Sequence, residues 1–351
     1  MDIAHQAHPI SPLGKEVRDL SQIPATELAE AADFFRDNFG STLLFFIDPL
    51  TFTTQFCSGE LPMSLTFAIL ALTARFSPWS SIEESRAYRT RALEFLQRER
   101  DEVSLHVVQA YLIHCVYEVG CGFESSAWIH LGNAVRMAQI LRLSVMDKPH
   151  SNFDWGRPAP NVNENATTVE LKRRTFWSCF FLDRLLSNGR DRPSSIDEKD
   201  ICCHFPVSEE DLVFRRFHQP PNPSTVGLSY ETSSNLYVSL ARILSILGEI
   251  ITWHGRGGRY TDARAPWRSD MPFTELDHQL MEWQRQVPDH LHYSRDTFAA
   301  LAMLNLFFAL IDEESFKDTR IAREAEALLQ DDIKAMESLS RFWDLPKYWV
   351  R

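Results

Sequence analysis

The sequence predicts an all-α protein, a large non-symmetric helical bundle. Apolar residues recur at three- and four-residue intervals in one stretch after another, the spacing that lines them along one helix face. Start signals of the form Ser-x-x-Glu or Thr-x-x-Glu precede some of these stretches. The chain shows no ladder of strand-like alternation and no short-period repeat.

The elements follow in order. Residues 1–24 are polar and broken by prolines, which predicts a flexible N-terminal tail before a helical domain over 25–351. From Thr26, the residues Leu28, Ala31, Ala32, Phe35 and Phe39 share a face, and the segment Phe45 to Pro49 is expected to end that helix. Pro62 opens an apolar helix to about Phe76. Ser81 and Glu84 form a capping box for the next, which reaches about Gln97. Ser104 caps a helix over Leu105–Val119 whose apolar residues run nearly all the way round, the pattern of a helix buried in a bundle. Gly120 and Gly122 break the chain, and Ser125 or Ser126 is expected to cap a helix to about Leu143, with Leu131, Ala134, Ala138 and Leu141 as its seam. A loop over 147–166 leads to Thr167 and Glu170, a second capping box, and a helix over Leu171–Leu186 that Asn188-Gly189 stops. Residues 189–230 have little periodicity. Helical patterns resume at Ser233–His254, Glu275–Val287, Arg295–Phe316 and Arg320–Phe342, with a long loop over Gly255–Pro272.

Composition narrows the function classes. The 351 residues suffice for one large helical domain or two smaller ones, and with 44% apolar residues and 24 phenylalanines the core is expected to be aromatic-rich. A formal charge of −12 repels phosphate backbones, which argues against DNA binding by bulk charge. The longest apolar runs, such as Phe67–Leu72, are far shorter than the roughly 18 residues that span a bilayer. The N-terminus lacks the basic and apolar regions of a secretory signal, and the cysteines inside apolar helical patterns read as buried thiols of a reducing compartment.

Motifs of chemistry are weak. Asp331-Asp332 resembles the start of a terpene-synthase metal box, but Ala335 stands where that box needs an acid, and Leu171 stands where a second box, on Asn163 and Thr167, needs Glu. A serine elbow, a His-Glu-x-x-His pair and a nucleotide loop are all missing, so no catalytic residue is assigned and the chain does not read as an enzyme. Adjacent Cys202-Cys203 before His204 cannot converge easily on one metal ion and read as core. The Gly255–Arg259 stretch, with its two arginines, reads as a flexible loop rather than an RNA-binding segment. Lys172-Arg173-Arg174 read as helix residues pairing with Glu164 and Glu170 rather than as a phosphate patch or nuclear import signal. Asp183-Arg184 read as an ion pair inside the bundle rather than as catalytic groups. Trp128, Phe176, Trp177, Phe180 and Phe181 can frame an apolar pocket, although such spacing more often marks plain core.

The stretch Glu170 to Asp211 gathers several of these features. The basic run leads into an aromatic helix with Phe176-Trp177 and Asp183-Arg184, then Arg192-Pro193, then an acidic segment with Phe205-Pro206. Upstream lie Phe34-Phe35, the Phe45–Phe52 segment, then Tyr88, Ala92, Leu93, then Gln109–Tyr117, Gly120, Trp128, Gly132, Ala134, Met137, Ala138 and Leu141. This ordered set resembles the middle homology region, the regulatory domain, of fungal zinc-cluster transcription factors. The resemblance is best over 34–211; the C-terminal part, 232–351, is helical in that family too.

Trp128, Arg173, Arg174, Phe176, Trp177, Asp183, Arg184, Arg192, Pro193 and Pro206 carry the family's signature, with structural or regulatory roles. In two respects the chain departs from the family. Asp191 replaces the usual glycine before Arg192-Pro193. The six cysteines, Cys57, Cys115, Cys121, Cys179, Cys202 and Cys203, lack the paired Cys-x2-Cys spacing of the zinc cluster. The resemblance therefore implies a nuclear transcription-regulatory protein, on a metabolic or biosynthetic gene set, without its own DNA-reading module. Zinc enters only if a cysteine cluster is encoded upstream. The expected partners are other transcription factors or co-regulators and a small-molecule effector, with DNA reached only indirectly and no membrane. The alternatives are a small-molecule-binding or tailoring protein of a biosynthetic pathway, or a truncated remnant of a full-length factor.

Overall fold

The computed structural model describes residues 18–40, 43–78, 80–99, 101–148, 164–187, 192–218, 235–257 and 272–287. Among the described residues there is no strand, and the all-α bundle follows the expected order. The patterns at Arg295–Phe316 and Arg320–Phe342, most of the Gly255–Pro272 loop, and Asn188-Gly189 and Asp331-Asp332 lie outside the described residues.

Helix α1 (Ala25–Asn38) buries Leu28, Ala31, Ala32 and Phe35 as its spacing requires. It ends well before Phe45, so the 45–49 segment is a separate turn rather than its terminator. Asp48 organises that turn, accepting hydrogen bonds from the Leu50 amide and the Thr51 hydroxyl and pairing with Arg215 at 2.8 Å. A short α2 (Phe52–Ser58), which the sequence pattern did not reveal, ends at Gly59 with φ +74°, a left-handed position that favours glycine. Of the tail expected over 1–24, residues 18–24 are described and anchored at two points: Arg18 pairs with Glu27 and Glu84, and Ile23 is buried.

The apolar α3 (Met63–Ala74) is buried from Ser64 onward and lies at the centre of the first half. Its threonines stay satisfied by donating to carbonyls one turn back, Thr73 to Ile69 at 2.9 Å. Helix α4 (Ile82–Arg98) packs against it and starts at the Ser81–Glu84 capping box, with both hydrogen bonds made. Helix α5 (Leu105–Gly120), capped by Ser104, is buried on nearly every side and forms a hairpin with α6 (Glu124–Ile140). No serine caps α6. It starts at Glu124, its N-cap is Phe123, and its buried row is Ala127, Leu131, Ala134, Val135 and Ala138.

Helix α7 (Ala166–Leu186) runs through the middle, packed on α5, α6 and a long helix α9 (Leu236–Gly255). The Asn165 side chain caps it by accepting the Thr167 amide, not the expected Thr167–Glu170 box, because Glu170 turns inward. A strap from Arg192 follows α7 back and carries the short α8 (Glu209–Val213), capped by Ser208. Helix α10 (Pro272–Gln286) packs on α9. Leu236–Trp253 is, by length and mean hydropathy, apolar enough to cross a membrane, a composition hidden from a search for unbroken runs by Arg242 and Glu249. It is more than half buried between α7 and α10, as the core helix of a bundle is.

Candidate functional site

Charged side chains in the middle of a buried helix need partners, because an unpaired ion in the interior is costly. On α7 those partners come from distant segments, and the result is two latches holding the 192–213 strap.

The first latch sits near the start of α7. The buried carboxylate of Glu170 accepts from Arg173 Nη1 at 2.8 Å, Arg174 Nε at 3.1 Å and the Val207 amide at 3.0 Å. Arg173 presents its fork to Asp147, with Nε at 3.2 Å and Nη2 at 2.9 Å, and Asp147 also accepts the His204 amide. Arg174 donates to Glu209 at 2.6 Å and to the carbonyls of Phe45, Val207 and Ser208. Its guanidinium lies over the rings of Phe45 and Tyr237, which stack on each other at 4.1 Å, and the Tyr237 hydroxyl donates to Glu209. Burial alone would lower both arginine pKa values. The hydrogen bond and charge of Asp147 at Arg173, and Tyr237, Glu209 and Glu170 at Arg174, outweigh burial and raise both. Lys172, one position out of this lattice, pairs with Glu164. The basic run is therefore an internal tie, in the second turn of its helix.

The second latch closes the far end. Asp183 accepts the Ser195 amide at 2.9 Å and the Ile196 amide at 3.1 Å and pairs with Arg184 at 2.9 Å. Burial pushes the Asp183 pKa up, against those donors. Arg184 reaches the Ile196 carbonyl at 2.8 Å and Glu198 at 3.3 Å, and lies 4.5 Å over the Phe180 ring. Gly248 of α9 makes room for it: a Cβ there would stand 3.0 Å from Arg184 Cδ. Between the latches, Trp177 Nε1 donates to the His204 carbonyl at 2.8 Å, and its ring stacks on Phe205 at 4.9 Å.

The signature residues thus divide. Arg173, Arg174, Phe176, Trp177, Asp183 and Arg184 come together on α7, whereas buried Pro206, on the strap, ties to the start of α9 through its carbonyl, which accepts from Asn235. Arg192 pairs at 3.2 Å with Glu124 of α6, and Pro193 is exposed at the start of the strap. Trp128 is apart from all of them: it is 37% exposed on α6 and frames no pocket with Phe176, Trp177, Phe180 and Phe181, which are core. Asp147, Glu209 and Tyr237 complete the first latch with no local signal in the sequence.

Two cavities border this machinery. The larger, about 820 Å³, lies where the second latch meets α9 and α10, and Arg184, Glu198, Glu249, Trp253, Arg256 and Glu275 line it. Burial, then the nearby carboxylates Glu198 and Glu275, push the Glu249 pKa up. The smaller, about 270 Å³, lies between α6, α7 and the strap, beside Phe176 and Cys179. Among the described residues no group of three histidines, cysteines or carboxylates can hold a metal ion. Cys115, Cys179 and Cys203 are buried thiols whose pKa values burial raises, and among the described residues no three cysteines gather as the thiolates of a zinc cluster must.

Comparison with known proteins agrees with this architecture. No solved structure matches the chain significantly. The chain is 26% identical over 81% of its length to the Zn(2)-C6 fungal-type transcription factor FTF1c of Fusarium oxysporum f. sp. lycopersici, covering 33% of that protein. It is 26% identical over 83% of its length to the transcriptional regulatory protein PB1A11.04c of Schizosaccharomyces pombe, covering 45% of it. Another relative, the Zn(2)-C6 fungal-type transcription factor FTF2 of the same Fusarium, is 26% identical over 78% of the chain and matched over 27% of its own length. The chain therefore spans less than half the length of these relatives. The model of the fungal-specific transcription factor domain matches residues 32–285, from α1 through both latches to the end of α10, and the chain belongs to that family.

Proposed function

We propose that this chain is the regulatory region of a fungal transcription regulator that works in the nucleus on a metabolic or biosynthetic gene set. The match over 32–285 carries the reading. In this proposal residues 25–351 form one regulatory domain, with 232–351 as its C-terminal helical part. The domain restrains or recruits other transcription factors or co-regulators and reaches DNA through them. It is not an enzyme and does not act at a membrane.

The mechanism is a shift between strap arrangements. The larger cavity shares Arg184 and Glu198 with the second latch, so a small-molecule effector seated there would bear directly on the contacts that hold the strap. The same cavity favours the second reading, a small-molecule-binding or tailoring protein of a biosynthetic pathway.

The test is to fuse the whole chain to an unrelated DNA-binding module in a fungal reporter strain. Activation or repression severalfold beyond the module alone is the expected result. A stable nuclear fusion with no effect of either sign would overturn the reading, and product formation by the purified chain would replace it with the tailoring enzyme.

A further inference from the structure

Helix α6 leaves one face uncovered. Trp128, Ile129 and Ile140 are exposed along it, and Ser125, Arg136 and Gln139 lie on the same side. Gly132 sits at its centre. A Cβ built there would meet nothing within 4 Å, so no internal neighbour requires glycine. Glycine inside a helix costs stability relative to alanine, and no packing among the described residues offsets that cost.

The protein carries −12, yet α6 holds one acid, Glu124, and one base, Arg136. His130 adds no charge at neutral pH, since burial and the positive Arg89 lower its pKa to about 4. Within α6 itself the charges balance, so the helix adds no net repulsion between two copies, although the strap's Asp197 and Asp200 border it beside Arg136 and Gln139.

The layout is symmetric about Gly132. Trp128 stands four positions before it and Arg136 four after. In an antiparallel pair of α6 helices with a two-fold axis at Gly132, each Trp128 falls opposite the partner subunit's Arg136. That places an indole face against a guanidinium whose own hydrogen bond is to Gln139, twice per interface. At the ends, exposed Phe123 meets the region of the partner subunit's Ile140. The two glycines let the backbones close at the crossing. An isologous contact requires one patch to carry both halves of each interaction, and this face does so.

We propose that the exposed face of α6 is a homodimer interface, in which a second copy of this chain packs antiparallel across Gly132. Trp128 and Arg136 are its anchors, as large aromatics and arginines are in other interfaces. The proposal does not depend on the reading of the strap.

Sedimentation equilibrium of the full 351-residue chain tests it. A reversible monomer–dimer equilibrium is expected, and Gly132→Leu and Arg136→Glu should each raise the dissociation constant about tenfold or more. Gly132→Ala controls for folding: it adds its methyl to open space on a helix, so the melting temperature of the dilute monomer should rise while the dimer does not tighten. A monomer at every concentration would overturn the proposal and assign the face to a different protein or to another part of a longer chain. A dimer that neither substitution weakens would overturn it equally, since its interface would lie elsewhere.

Discussion

Arg174 shows how position decides what an ion pair contributes. It is completely buried and holds two carboxylates, Glu170 and Glu209, together with three backbone carbonyls. Replacing it with methionine keeps the stem but takes from buried Glu170 one of its two arginines and from three backbone carbonyls their donor, so about 3–5 kcal/mol of folding stability should be lost. That is a large share of the roughly 5–15 kcal/mol that holds a domain together. Arg216 is the contrast, because it too pairs with two acids, Glu210 and Asp211, but is 54% exposed. Water already solvates these pairs, and Arg216→Ala should change stability far less than the Arg174 substitution. Urea denaturation of the two variants checks both statements. Equal losses would mean that the first latch is no more than a surface decoration of α7.

At the scale of elements, spacing revealed which faces are buried but not what they touch. Helix α5 reads as buried all round and is, down to the polar His114. The α6 seam reads correctly at Leu131, Ala134 and Ala138, while Trp128 lies beside that row and is exposed. Glu170 reads as a capping residue because Thr167 stands three positions before it; its inward turn depends on Val207, 37 residues away, which no local pattern contains. Asp147 lies 26 residues from Arg173 for the same reason. Between α5 and α6 the rings of His114 and His130 face each other at 5.5 Å, and both nitrogens of His114 and Nδ1 of His130 are buried without hydrogen-bond partners. Burial first, then the neighbouring histidine and Arg89, hold His114 well below its usual pKa; burial and Arg89 hold His130 near 4. The unfolded chain binds these two protons near pH 6.5; the folded chain binds that of His130 only near 4 and that of His114 well below the usual value. Their contribution is therefore intact above about pH 6.5 and falls as the pH drops from there towards 4. Stability measured across that range should decline less steeply in His114→Leu than in the parent. Parallel curves would show that the imidazoles titrate alike in both states.

The charge of the whole molecule argues against DNA binding by this region on its own. Its 48 acids outnumber its 36 lysines and arginines. The basic run that most invites a phosphate is tied to Glu164, Asp147, Glu170 and Glu209. A phosphate approaching Arg173 or Arg174 would have to displace buried carboxylates that already satisfy them, while the protein's long-range field repels it. The purified chain should therefore hold no stoichiometric zinc and show no binding to duplex DNA above nonspecific background across a salt series. Binding that weakened steeply with added salt would still be compatible with a local cluster of exposed cations, because such contacts release counterions. A sequence-specific complex that survives high salt would not. It would require base contacts from this helical region other than its internally paired Arg173 and Arg174, and would overturn the proposal that DNA is reached through a partner.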